Sequence, residues 1–213
     1  MLNLRQVKLM PVREQAASSI REAIITQNLK QGEVLTLEAT AHALGISATP
    51  VREAFQILAR DGLIELSQNR GAVVLGFNDK TIREHYEIRA ALESEACRLV
   101  CENNAPLEGI ENCIEHARKI LENNYEKYPD YNQSFHYEIW LAAGNTRLLN
   151  MLSELWNGLS LGLRTTRAEY FQVSHSEHEK IFSALKTRNA SEAYEAMHIH
   201  ITRSMNDILT RYI

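Results

Sequence analysis

The sequence is poor in the residues that mark several classes of protein. Its 213 residues include nine glycines and four prolines, too few for a collagen-like or low-complexity chain. No apolar run approaches the roughly 18 residues needed to cross a bilayer. The first residues also lack the compact apolar segment of a secretory signal. These absences predict a cytoplasmic protein that does not contact membranes.

Cysteine is also scarce, since the three Cys are too few for a disulfide framework in a chain of this length. Cys97 and Cys101 are four residues apart in a helical pattern, so they share one helix face. Two cysteines at that spacing could both bind one metal ion, but free cysteine is more often a small buried apolar residue. We therefore interpret both as core residues.

Positive charge is too limited to suggest nucleic acid binding over the whole surface. The formal net charge is -4, yet residues 1–76 hold eight basic and seven acidic residues, whereas the remainder holds 15 and 20. A polyanionic partner would therefore meet the first part of the chain. The contrast is mild and needs support from motifs.

The first part of the chain alternates short helices with turns. Apolar residues recur at helical spacing in residues 12–27 and again in 37–44, and Gly45 suits the position after the second helix. A third helix follows, because Ser47 or Thr49 can cap it and Pro50 is tolerated only in a first turn.

Two short strands complete the first part of the chain. Residues 63–66 and 72–75 have strand character and flank a glycine-containing loop. Three helices with a tight turn, followed by a hairpin, predict a winged helix-turn-helix domain over residues 1–76.

The third helix is the candidate recognition helix. Residues at its start would meet the major groove, where hydroxyl groups and backbone N–H groups suit phosphates and Arg52 can pair with guanine. The hairpin tip would place a second cation over the minor groove or phosphates. The alternative is that the hydroxyls only cap and that Arg52 pairs with Glu53 or faces solvent. The predicted DNA-contacting residues are Ser47, Thr49, Pro50, Arg52, Arg70 and Gly71.

Beyond Asn78 the sequence has no strand signals. Helical patterns end at breaks that include one near residues 172–174, and the short connections predict an all-α antiparallel bundle over residues 77–213. The fold class is therefore mainly α. The predicted helices are 78–102, 107–126, 130–143, 146–169, 174–187 and 190–212.

An ordered set of residues in the first part resembles the DNA-binding domain of GntR-family bacterial transcription regulators. The resemblance predicts a homodimer on a palindromic double-stranded DNA operator. Ala48 departs from the family, which usually has Arg there, so one expected DNA-contacting cation is absent. Leu37 and Thr40 stand where an acidic residue and Leu are usual. The matching positions are Gly32, Leu44 to Ser47, Pro50 to Ala54, Leu58, Asp61 to Leu63, and Arg70 with Gly71.

Three histidines in the second part lie at or beside apolar helix faces. If His136, His178 and His200 face one core, their nitrogens can bind a divalent metal together with one oxygen. The residues alone favour the alternative of ordinary core histidines. His175 and His178, three residues apart, could also form a local pair.

The second part also carries an ordered set of motifs, which are Glu87-Ile88-Arg89-x-x-Leu92-Glu93, Asn132-x-x-Phe135-His136, Ala143-Gly144-Asn145, Glu177-His178-x-x-Ile181 and Met197-x-x-His200-Ile201. With these motifs, residues 80–210 resemble the FCD ligand-binding domain of FadR-type GntR regulators. Many such domains bind a metal through one Asp and three His, which implies His136, His178 and His200 here, with Asn132 at the Asp position. Asp130 lies about 120° off that helix face, so Asn132 is preferred. Its neutral amide implies weaker metal binding and favours an anionic effector. Zn²⁺ or Ni²⁺ is expected, with Mn²⁺ left open.

The resemblance also assigns Arg89 to the effector. It matches an Arg that often faces the cavity, where it could hold a carboxylate bidentately, although a surface or interhelical salt bridge is the alternative. The sequence thus predicts a regulator, favoured as a repressor, that responds to a small organic acid. A metal-dependent hydrolase is disfavoured because no His-Glu-x-x-His run occurs and residues 28–75 would be unexplained. A metal-free effector-sensing bundle remains a further alternative.

Overall fold

The computed structural model describes residues 11–68, 71–76, 78–123, 128–156 and 168–212. They form two compact units that divide between Thr81 and Ile82. The first is a winged helix-turn-helix and the second is all-helical, which confirms the expected fold class. None of the described helices has both the length and the apolar character to span a membrane.

The first unit combines three helices with a small antiparallel sheet. Helices α1 and α3 pack together over fully buried residues of α3 that include Val51, Phe55 and Leu58. The sheet has the order β1-β3-β2, so β3 pairs on both sides. The elements are α1 (Val12–Ile25), β1 (Val34–Thr36), α2 (Leu37–Leu44), α3 (Ala48–Arg60), β2 (Ile64–Ser67) and β3 (Gly71–Val74).

Local signals set the turn between α2 and α3 as the sequence predicts. The Thr36 hydroxyl accepts the Ala39 N–H at 3.2 Å and caps α2. Gly45 follows the helix with φ of 66°, a left-handed conformation that glycine adopts without steric cost. Strand β1 was not predicted, because three residues are too few to show a strand period.

The second unit contains six described helices. Helices α8 and α9 pack along each other, and α5 and α6 form another close pair. Cys97 and Cys101 are buried in α4, as expected of core thiols. The helices are α4 (Asp79–Glu102), α5 (Glu108–Asn123), α6 (Tyr128–Ala142), α7 (Thr146–Leu155), α8 (Ala168–Lys186) and α9 (Ala190–Tyr212).

The helix break predicted near residues 172–174 is wrong. Helix α8 runs through these residues without interruption. Gln172 and Val173 are exposed, but Ser174 is buried beside Phe171 on the inner face of the helix, so packing of this face outweighs local propensity. The predicted helix 146–169 instead ends at Leu155 in α7, and residues 157–167 lie outside the described residues.

Candidate metal centre and DNA-contacting surface

The start of α3 presents polar side chains to solvent. Ser47, Thr49 and Arg52 are all exposed. Ser47 occupies the N-cap position, yet its hydroxyl makes no capping hydrogen bond. The Oε2 atom of Glu53 lies 3.7 Å from Nη1 of Arg13. Within the described part of the chain, no side chain pairs with Arg52. Of the two alternatives for Arg52, pairing with Glu53 does not hold, and Arg52 instead faces solvent, where these groups can approach a phosphate or base.

The other predicted DNA-contacting residues have different surroundings. Pro50 is half-buried and lies in the first turn of α3, where its missing N–H costs no helical hydrogen bond. Gly71 begins β3, and a Cβ atom there would lie 2.6 Å from the Leu35 carbonyl oxygen. Glycine is thus required for the sheet at this point. Arg70 lies outside the described residues.

The second unit brings three buried histidines together from three helices. His136 lies on α6, His178 on α8 and His200 on α9. The Nε2 atom of His200 lies 3.3 Å from the Nε2 atom of His178 and 3.3 Å from that of His136. One possible ligand atom from each residue lies within 4.8 Å of the other two.

Glu93 holds one of these imidazoles from the far side. Its Oε2 atom accepts His136 Nδ1–H at 2.5 Å and Trp140 Nε1–H at 3.1 Å, and its Oε1 atom accepts two N–H groups of Arg89 at 2.6–2.7 Å. Burial alone would raise the pKa of Glu93, but the charge of Arg89 and the hydrogen bonds from His136 and Arg89 outweigh it and hold the pKa below its usual value. The carboxylate is therefore ionised and accepts hydrogen bonds only.

Glu177 holds a second imidazole in the same way. Its Oε2 atom accepts His200 Nδ1–H at 2.7 Å, and Arg203 donates to both carboxylate oxygens at 2.6–3.1 Å. Burial opposes the charge, but these hydrogen bonds lower the pKa of Glu177 below its usual value. Two of the three histidines thus have a carboxylate partner that is itself paired with an arginine.

His178 has different surroundings. Its ring stacks on Phe135 with a centroid separation of 4.0 Å, and its buried Nδ1 atom has no hydrogen-bond partner among the described residues. Burial lowers the pKa of His178 well below its usual value and lowers that of His200 to about 4, despite the carboxylate of Glu177. Both rings are therefore neutral near pH 7, as metal ligands must be.

Hydrogen-bond roles show what the centre of this cluster requires. Because ionised carboxylates accept at the Nδ1 atoms of His136 and His200, those atoms carry protons. In the neutral form that a metal ligand requires, the two Nε2 atoms, 3.3 Å apart, would present lone pairs to each other and would not form a hydrogen bond. Two nitrogens bound tetrahedrally to one zinc ion would lie about 3.3–3.4 Å apart, since each Zn–N bond is about 2.0–2.1 Å. The donor set and spacing therefore fit a divalent cation.

The remaining predicted ligand differs from the histidines in burial. Asn132 is half-buried and lies one turn before His136 on α6, whereas Asp130 is exposed. The greater burial of Asn132 agrees with the sequence-based preference for it, which rested on Asp130 lying on another face of the helix than His136.

Arg89 is fully buried and bonded to Glu93 one turn along α4. It also lies over the Trp156 ring, with 4.6 Å from the guanidinium carbon to the ring centroid. Arg89 therefore forms a buried ion pair within α4, which differs from the surface or interhelical salt bridge of the alternative. Trp140 is buried like Trp156, whereas Tyr137 is exposed.

Sequence reasoning gave no role to Glu93 or Glu177. Glu93 carried a local signal, because it follows Arg89 by four residues and can pair with it on one helix face. Glu177 lies beside His178 in the sequence but on another face of α8, which is the face that meets His200 of α9. No local pattern reveals that second contact.

Comparison with protein families gives two matches that together follow the two units. The model described as "Bacterial regulatory proteins, gntR family" matches residues 7–74, and the model described as "FCD domain" matches residues 84–203.

Individual relatives support the same assignment. The gluconate operon transcriptional repressor of Bacillus subtilis is 27% identical over 197 residues, which span 85% of this chain and 79% of the repressor. A Paenarthrobacter nicotinovorans protein named "Probable D-xylose utilization operon transcriptional repressor" is 29% identical over 200 residues, spanning 89% and 87% of the two chains.

Solved structures share the fold at lower identity. Escherichia coli McbR/YncC is 19% identical, with a TM-score of 0.65 over 96% of this chain and 100% of the other. Lar of Listeria monocytogenes is 15% identical, with a TM-score of 0.66 over 97% and 100%.

Proposed function

Because this chain belongs to the GntR family of bacterial regulatory proteins and carries an FCD domain, we propose that it is a repressor that responds to a small carboxylate through a metal ion. The coarser function, a DNA-binding transcriptional regulator, follows from the family and its relatives. Those relatives are regulators, so the hydrolase alternative is abandoned.

One observation carries the metal proposal, namely the convergence of three buried imidazoles, in which the Nε2 atom of His200 lies 3.3 Å from those of His136 and His178. His136, His178 and His200 would hold the ion, with the Asn132 amide oxygen as a further ligand. The bound ion would supply a positive charge that attracts an anionic effector.

Charge balance favours a carboxylate as that effector. The proposed ligands are three neutral imidazoles and a neutral amide, and each nearby arginine is already paired with its own glutamate. A divalent ion here would keep its full charge in a buried site, which an anionic ligand would offset. One relative represses an operon named for gluconate, a carboxylate, and another is named for the neutral sugar D-xylose.

The DNA-contacting surface of the proposed repressor is the start of α3 with the hairpin. Exposed Ser47 and Thr49 would bind phosphates, and Arg52 would read a base. A homodimer would place two such helices on the half-sites of a palindromic operator. Light scattering on the purified protein would measure the mass of the assembly.

The test measures DNA affinity with and without metal and effector. A duplex selected by the protein from a random library serves as the probe, and fluorescence anisotropy gives its affinity. We expect gluconate or citrate to change the affinity of Zn²⁺- or Ni²⁺-loaded protein but not of chelator-treated protein or His136→Ala, and D-xylose to have no effect. An identical carboxylate response with and without metal would contradict the metal proposal.

A metal-free sensor is the second candidate, and Asn132 is the residue that favours it. A half-buried amide is a poorer ligand than a carboxylate, so the three histidines would lack a strong fourth partner. In that case the effector would bind by hydrogen bonds alone. Its response would persist in chelator-treated protein, which the same titration measures.

A further inference from the structure

We propose that Glu93 and Glu177 are positioning residues that direct the Nε2 atoms of His136 and His200 at a bound metal. The proposal rests on the metal site of the proposed function. It adds an outer layer to that site, in which each carboxylate fixes the tautomer and the ring orientation of one ligand.

The first arrangement joins α4 to α6 through Arg89, Glu93 and His136. Glu93 is fully buried and receives Arg89 on one oxygen and His136 on the other, the latter at 2.5 Å. The indole N–H of Trp140 adds a third donor at 3.1 Å. Because donors from three residues bind it, the carboxylate cannot rotate without breaking several hydrogen bonds, and the ring of His136 is held with it.

The second arrangement joins α8 to α9 through Arg203, Glu177 and His200. Here Arg203 binds the carboxylate with two nitrogens, and His200 donates to Glu177 at 2.7 Å. Glu177 is 15% exposed and lines an open groove between α8 and α9, whereas Glu93 is 0% exposed. The same hydrogen-bonded arrangement, in which an arginine and a histidine both donate to one glutamate, thus occurs twice. One copy is buried and the other is more accessible to solvent.

The arginines explain how carboxylates can serve this purpose inside the protein. Each arginine compensates the charge of its glutamate, so neither Arg–Glu pair adds net charge beside the metal. Each paired carboxylate places an oxygen 2.5–2.7 Å from the Nδ1 atom of its histidine, which leaves the Nε2 atom directed at the other imidazoles. Among the described residues, His178 has no such carboxylate, and its ring stacks on Phe135.

Cobalt binding tests the proposal, because Co²⁺ reports on its ligands through visible absorption. Glu177→Gln puts an amide against His200 that can donate instead of accept, which permits the tautomer with Nε2 protonated. We expect Co²⁺ affinity, measured by competition with a chromophoric chelator, to fall about 10- to 100-fold, with altered visible bands. Glu93→Gln should act in the same direction at His136.

Matched controls separate positioning from general effects of charge. Glu179→Gln lies on the same helix as Glu177 and pairs with Arg118 at the surface, and Glu95→Gln lies on the same helix as Glu93 and pairs with Arg98. Both controls should bind Co²⁺ like the unaltered chain. Thermal melting of metal-free protein identifies any variant that fails to fold.

Each outcome decides between the two levels of the proposal. If the unaltered chain binds no Co²⁺, Zn²⁺ or Ni²⁺, the metal site of the proposed function fails and the positioning role fails with it. If the unaltered chain binds Co²⁺ and Glu177→Gln binds it equally with the same spectrum, only the positioning role is overturned. Should Glu93→Gln not fold, Glu177→Gln decides alone, since its side chain reaches solvent.

Discussion

Arg52 and Arg89 show how differently the two units use the same side chain. Arg52 projects into solvent from the start of α3, and within the described part of the chain no acidic residue pairs with it. Arg89 is buried in α4, pairs with Glu93 and lies over the Trp156 ring. One arginine is available to an outside partner, and the other stabilises the protein itself.

This difference extends to the other polar residues of each unit. Exposed Ser47 and Thr49 of the first unit contribute little to its core, so they can be changed without loss of folding. Buried His136 and His200 donate to carboxylates that also accept hydrogen bonds from arginine side chains. Substitutions in the first unit should therefore act on binding, and those in the second should act on stability and metal affinity together.

Arg89→Ala should have the largest effect. It leaves the buried carboxylate of Glu93 without its positive partner, and such a loss costs about 3–5 kcal/mol in free energy of unfolding. Urea denaturation would measure it. Arg98→Ala is the control on the same helix, because its pairs with Glu95 and Glu102 are exposed, and it should change stability little. Equal stability of the two variants would contradict the buried ion pair.

The first unit could be predicted from sequence largely because local signals define it. Gly45 ends α2 in the left-handed conformation, and Pro50 restricts where α3 can begin. Each of these signals acts within a few residues. Strand β1 was missed, because its pairing with β3 depends on residues far along the chain.

The second unit was less predictable where its structure depends on contacts between helices. The apolar faces beside His136, His178 and His200 were visible as helical periodicity. The partner of His200 was not, because Glu177 meets it across two packed helices. The continuity of α8 was also hidden, since packing of buried Ser174 outweighs its low helix propensity.

His200→Ala should have the next largest effect, on metal binding. It removes the imidazole whose Nε2 atom lies 3.3 Å from the Nε2 atoms of His136 and His178. We expect Zn²⁺ or Ni²⁺ affinity to fall by at least about 100-fold, beyond the range for outer partners of a ligand. Elemental analysis after dialysis and chelator competition would measure it.

His198→Ala is the matched control for that prediction. It lies on the same helix but is exposed, so metal affinity should not change. Equal metal binding by the His198→Ala and His200→Ala variants would remove His200 from the ligand set.

Arg52→Ala should have a smaller effect, confined to DNA. If Arg52 reads a base, affinity for the selected duplex should fall by about 1–3 kcal/mol while specificity relaxes at one position. Arg60→Ala removes the same charge from the other end of α3 and should leave that specificity intact. The melting temperature of Arg52→Ala should be unchanged. Equal affinity and sequence preference in Arg52→Ala and the unaltered chain would exclude a base contact.

Asn132→Asp should have the smallest effect and the opposite sign. A carboxylate one turn before His136 adds charge attraction for a divalent ion, which desolvation partly offsets, so we expect metal affinity to rise about tenfold. The added negative charge should also weaken binding of a carboxylate effector. Gln133→Glu adds the same charge at the neighbouring position, so it separates a ligand from a general field. If both variants bind metal equally, Asn132 does not contact the ion.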